Sequence, residues 1–239
     1  MIEVVMAATT VSRRKPTRPA AVRKFATLQD VLDYLGGVPA DRVHLFPWPG
    51  TATQRDMIHP PTEPKNAICE LIDGILVEKA VGYHSSRLAL ILATFLQQYL
   101  MENENIGCVN AGGDGYIKLK PKRIVVPDVS FVRWEQFPGG QVTDDPCPEV
   151  VADLIVEVLS KGNTRREMDR KRREFFESGT RLFWIVDPKK QAVTVYRPGG
   201  ESHVLGLNDS VDGEDVLPGF RLSIRKWFEL ASGKPPRKS

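Results

Sequence analysis

The stretch Leu154-Ile-Val-Glu-Val-Leu159 decides how this chain folds. An apolar run broken by a single carboxylate is the pattern of a strand covered on both faces. Residues 164–178 follow it as a heavily charged segment with apolar Met168, Phe175 and Phe176, which predicts a helix ended by Gly179 in a left-handed cap. Residues 182–186 and 192–196 are β-rich and joined by Asp187-Pro-Lys-Lys-Gln191, the composition of a hairpin.

Toward the N-terminus, residues 28–35 read as a short helix closed by Gly36-Gly37. The prolines at 39, 47, 49, 60, 61 and 64 make residues 36–66 an extended connection. Asp73-Gly74 lies between Ala67-Ile-Cys-Glu-Leu-Ile72 and Ile75-Leu-Val-Glu78, a strong hairpin signal because both turn positions favour positive φ. Residues 85–101 place Leu88, Ile91, Leu92, Phe95, Leu96 and Tyr99 on one helical face. A strand is expected near 116–119, another over 124–132 interrupted by Pro127, and a loop over 135–149. Residues 216–230 close the domain with Leu-Pro-Gly and a short helix around Trp227 and Phe228. The order of elements predicts one α/β domain with a mixed sheet.

Of the 239 residues, 41% are apolar and 26% charged, which excludes wholesale disorder, collagen and coiled coil. No run approaches the roughly 18 consecutive apolar residues of a membrane span. Glu3 and a short apolar run argue against a signal peptide at the N-terminus. Cys69, Cys108 and Cys147 are odd in number and widely spaced, as expected of free thiols in a reducing compartment, the cytoplasm. The net charge of +3 belongs to the ends, because residues 25–230 sum to −5. Residues 1–24 and 231–239 are expected to be basic, disordered tails around a domain at 25–230. An acidic body does not suit nucleic-acid binding by bulk charge alone. It does suit a site that gathers carboxylates around cations.

Glu157 shares a face with Ile155 and Leu159, and a buried charge there must meet a cation, a metal or hydrogen bonds. The plainest partner would be an arginine of the following helix. Asp128 follows Pro127 inside an apolar strand, where proline implies an edge or bulge that re-aims a side chain or caps a bend. Two such carboxylates on neighbouring strands would suit Mg²⁺ or Mn²⁺. In the charged helix, Lys171 and Arg172 both border the apolar stripe, and spacing alone does not choose between them. Glu167 precedes Lys171 by four and suits a surface pair, while Arg165, Arg166, Arg170 and Arg173 read as a solvated basic face or one touching phosphates. Glu70 alone reads as a surface strand residue, and His84, Ser85 and Ser86 as capping or exposed positions. No Walker loop, dinucleotide fingerprint or nucleophile elbow is present.

Taken in order, Cys69-Glu-Leu-Ile-Asp-Gly-Ile-Leu-Val-Glu78, Ile124-Val-Val-Pro-Asp-Val-Ser-Phe-Val132 and Asp153-Leu-Ile-Val-Glu-Val-Leu-Ser160 form a series. Asn163-Thr-Arg165, Met168-Asp-Arg-Lys-Arg172, Phe183-Trp-Ile-Val-Asp-Pro188 and Leu217-Pro-Gly-Phe220 continue it. The series resembles the Uma-two family of restriction-endonuclease-like proteins, a branch of the PD-(D/E)XK nuclease superfamily, over roughly residues 28–230. The resemblance implies a restriction-endonuclease-like mixed sheet flanked by helices and a Mg²⁺-dependent endonuclease acting on DNA, with RNA open as a substrate. It makes Asp128 and Glu157 metal ligands, and Glu70 an acidic residue completing the site. Position 159, where the superfamily's simplest pattern has lysine, is leucine, and the resemblance points to Lys171 as the displaced equivalent. A non-catalytic nucleic-acid- or protein-binding module with the same fold is the alternative reading. Double-strand cleavage would favour a homodimer.

Overall fold

The computed structural model describes residues 23–61, 67–113 and 115–233. The expectations for residues 1–22 and 234–239 therefore lie outside the described residues. Helix α1 (Leu28–Tyr34) opens on a capping box between Thr27 and Asp30. The proline-rich connection also contains a helix the sequence reading lacked, α2 (Gln54–Ile58), started by the same device between Thr53 and Asp56. Strands β1 (Cys69–Ile72) and β2 (Ile75–Glu78) then form the expected hairpin, with Asp73 and Gly74 at φ 48° and 82°. Helix α3 (Tyr83–Glu102) follows, and β3 (Gly107–Ala111) and β4 (Ile117–Lys120) come next.

The run 124–132 departs from expectation. It is two strands, β5 (Arg123–Val125) and β6 (Val129–Arg133), in different sheets. Pro127 cannot donate to a ladder, so pairing stops there and the chain passes from one sheet to the other. The smaller sheet has the order β2-β1-β5-β4. Then come β7 (Leu154–Val158), α4 (Arg165–Ser178), β8 (Leu182–Asp187), β9 (Ala192–Tyr196), β10 (Ser202–Leu205), β11 (Ser210–Gly213), β12 (Leu217–Ser223) and α5 (Ile224–Ser232). The larger sheet is ordered β10-β9-β8-β7-β6-β3; β7 and β8 are parallel and the other pairs antiparallel, so the sheet is mixed. Helix α5 carries two residues, Ala231 and Ser232, past the expected domain end, with Ala231 buried.

The two faces of β7 are divided as its alternation requires. Leu154, Val156 and Val158 join Leu88, Leu92, Trp184 and Trp227 under α3 and α5. Ile155 joins Phe175 and Phe183 under α4. Trp227 donates its indole N–H to the Leu88 carbonyl at 2.9 Å, locking α5 to α3. Glu157 therefore faces α4. Among the described residues, no helix is long and apolar enough to cross a membrane.

Candidate functional site

Each side chain at the site is aimed by a local rule. Glu70 pairs across the hairpin with Val77, so both point to one face of the small sheet. Lys79 lies two residues beyond Val77, continues the strand by donating its N–H to the Ile68 carbonyl at 2.8 Å, and shares that face. Asp128 sits just past the sheet crossing, where its Oδ2 accepts the Val158 N–H at 2.6 Å. Glu157 reaches out from β7, and Lys171 from the first half of α4, which is capped at Thr164 by a box with Glu167.

These residues form a chain of alternating charge. Lys171 Nζ lies 2.8 Å from Glu70 Oε1 and 2.8 Å from Glu157 Oε1. The other oxygen of Glu157 lies 3.5 Å from Lys79 Nζ, which is 3.0 Å from Asp128 Oδ1 and also donates to the Val126 carbonyl. Glu70 also accepts the Val126 N–H at 3.3 Å. Three carboxylates thus interleave with two ammonium groups, and the sum is one negative charge.

The inner end is dry. Glu70 and Lys171 are 1% and 2% exposed, so the reading of Glu70 as a surface residue is corrected. Its physical error was to judge the residue without its cross-strand face. Burial opposes ionisation of Glu70, but the Lys171 and Lys79 charges overcome this and pull its carboxyl down to about 2. Glu157 is pushed above the usual range by burial and by its carboxylate neighbours Asp128 and Glu70, against the pull of both lysines. Burial disfavours the charged form of both lysines, yet the surrounding carboxylates raise both. The outer end meets solvent through a cleft of about 150 Å³ lined by Lys79, Asp128, Pro127, Ile68, Val81 and Gly113.

The structure brings Glu70, Asp128, Glu157 and Lys171 together, and adds Lys79, which the sequence reading missed. The signal was available: once Asp73-Gly74 fixes the hairpin register, position 79 lies on the face of Glu70. Between Lys171 and Arg172 the packing decides. Arg172 stacks 4.8 Å over the Tyr196 ring and pairs with Asp169, while Lys171 alone enters the cluster. Glu167 is not a surface partner of Lys171 but is buried against Arg42. Arg170, expected on a solvated face, is buried and bound to Glu174. His84 is exposed, and Ser85 bonds back to the Gly82 carbonyl at 2.8 Å.

Among the described residues, no three His, Cys, Asp or Glu side chains converge into a closed metal cage. The donor chemistry still fits a hard cation. Asp128, Glu157 and the Val126 carbonyl turn oxygens toward one positive charge, that of Lys79. Mg²⁺ is usually held by one or two carboxylates and keeps several waters.

A family model described as "Uma2: Putative restriction endonuclease" matches residues 56–225. This chain belongs to the Uma2 family. The match spans the hairpin of Glu70, the sheet crossing, β7 and α4, so every element that supplies the site lies within it. No curated protein matches the chain. It is similar to a crystal structure of "a putative nuclease belonging to DUF820" from Anabaena variabilis, 23% identical, with a TM-score of 0.60, covering 72% of this chain and 94% of that one. That likeness gives the Uma2 chain its fold: a single α/β domain with a mixed sheet flanked by helices.

Proposed function

We propose that this Uma2 protein is a metal-dependent endonuclease that hydrolyses phosphodiester bonds of DNA. The observation that carries the reading is the convergence of Asp128, just past the sheet crossing, and Glu157, on β7, on one cation position beside an open cleft. Asp128 and Glu157 would hold Mg²⁺ or Mn²⁺. When bound, the ion would lower the pKa of a coordinated water and offset charge on the phosphorane-like transition state. Asp128 is held for this by the Val158 N–H, and Glu157 by the Lys171 ammonium on its inner oxygen. Lys171 pulls Glu157 toward its charged form and orients it, and through that contact assists activation of the attacking water. Glu70 holds Lys171 in place from behind. Family membership supports a nucleic-acid substrate.

The test is nicking of supercoiled plasmid with Mg²⁺ or Mn²⁺ by the full chain and by Asp128→Asn. Metal-dependent nicking should fall at least about a hundredfold in the variant, since several kcal/mol are at stake and each ~1.4 kcal/mol is tenfold. Nicking at the wild-type rate by a folded Asp128→Asn protein overturns the assignment. The second reading, a binding module that keeps the fold without cutting, draws support from the Lys79 ammonium between the two carboxylates. It is favoured if the wild type retains DNA in a metal-independent, salt-sensitive way and nicks nothing.

A further inference from the structure

Lys79 has no part in the chemistry above, yet it has the most telling position in the cluster. Its ammonium is met by a carboxylate oxygen of Asp128 at 3.0 Å, one of Glu157 at 3.5 Å, and the backbone carbonyl of Val126. Two carboxylates and a carbonyl are the oxygen set that hard divalent ions take. A lysine ammonium is a compact point charge on a flexible four-carbon stem, able to enter such a set and to leave it. Lys171 is different: it is enclosed between Glu70 and Glu157, away from Asp128. Lys79 lines the cleft, so it has a direction in which to withdraw.

We propose that Lys79 is a built-in competitor for the metal position of the Asp128–Glu157 pair, and that it must swing out of that pair for the ion to enter. The proposal rests on the metal-dependent reading and deepens it. The ammonium neutralises the two carboxylates while the ion is absent, and so keeps the metal-free protein from holding two like charges together. The same contact weakens ion binding, because the incoming cation must first displace a positive charge already bonded to its ligands. Metal occupancy then depends on concentration over a higher range than the ligand set alone would give.

The test is a Mn²⁺ titration of the full chain, followed by electron paramagnetic resonance of the free ion. Wild type is compared with Lys79→Met, Lys79→Gln and Asp128→Asn. Met fills the volume of the stem without charge, and Gln keeps a donor for the Val126 carbonyl should the Met variant fold poorly. Each folded Lys79 variant is expected to bind Mn²⁺ at least tenfold more tightly than wild type, and to gain more thermal stability from saturating Mn²⁺. Asp128→Asn is expected to lose the binding. Mn²⁺ affinity equal to or below that of wild type in the folded Lys79 variants overturns the competition while leaving the metal reading intact. Absence of saturable binding in all four proteins, or binding that Asp128→Asn leaves unchanged, overturns the metal reading and the competition together.

Discussion

Helix α4 carries two buried ionic clusters one turn apart, and they are built on opposite plans. At Glu167 the charges close on themselves. Arg42 bonds it in a fork, at 2.8 and 3.1 Å, and Asn163 and the Thr164 N–H take up the remaining capacity of the carboxylate. Arg42 is itself completed by the carbonyls of Glu78 and Gly162. At Lys171 the charges run on from Glu70 through Glu157 and Lys79 to Asp128, and end at a cleft. A planar guanidinium suits a fixed, two-pronged brace, whereas ammonium groups suit a series of single contacts that can be remade. A closed, fully bonded pair fastens elements together. An open series of alternating charge that ends at a cleft is where the proposed ion would enter.

The comparison is most sharply broken by activity. Arg42→Met should leave nicking per folded molecule within about twofold of wild type, whereas Asp128→Asn loses about a hundredfold or more under the same plasmid assay. Equal losses in the two variants would erase the distinction between brace and site. Stability gives the next largest effect. Removing one partner of a buried pair strands the other, so Arg42→Met and Lys171→Met should each lower the unfolding free energy by about 3–5 kcal/mol in urea titrations.

Acid separates the clusters more gently. Burial resists ionisation of Glu167, but the Arg42 hydrogen bonds and the nearby lysine and arginine charges hold its carboxyl below the usual range. Its contribution is therefore complete above the ordinary carboxylate pKa of about 4.3 and is lost as pH falls through the depressed value. Glu167→Gln should accordingly flatten the fall of the urea midpoint between about pH 5 and pH 3. The smallest effect belongs to the solvent side of the same helix. Arg165 is almost fully exposed beside Asp169 at 4.0 Å, and Arg165→Ala should leave the thermal midpoint unchanged.

The sequence disclosed what local spacing controls. Asp73-Gly74 announced the hairpin, the apolar face of residues 85–101 announced α3, and the lone carboxylate in residues 154–159 announced a buried charge. Which residue answers that charge was not legible, because Glu70 and Lys171 are 101 positions apart and spacing along a chain says nothing about partners across it. Arg42 and Glu167, 125 apart, were hidden for the same reason, so a buried brace looked like a surface pair. Pro127 was read as an interruption at an edge or bulge of one strand, and only the three-dimensional arrangement shows that the strands on its two sides belong to different sheets. The short helix α2 was masked by the prolines around it, although Thr53 and Asp56 carried its cap in plain view.

The passage of the chain through Val126, Pro127 and Asp128 from one sheet to the other also sets an order of events during synthesis. A nascent chain that has emerged as far as β6 owns Glu70, Lys79 and Asp128, but neither Glu157 nor Lys171. A domain generally folds as a unit, so the half-finished protein has Asp128 without the Glu157 that faces it, and the cluster is incomplete. The cluster comes into being only when β7 has been laid beside β6 and α4 has closed over it. The proposed site is thus withheld by architecture until the domain is whole.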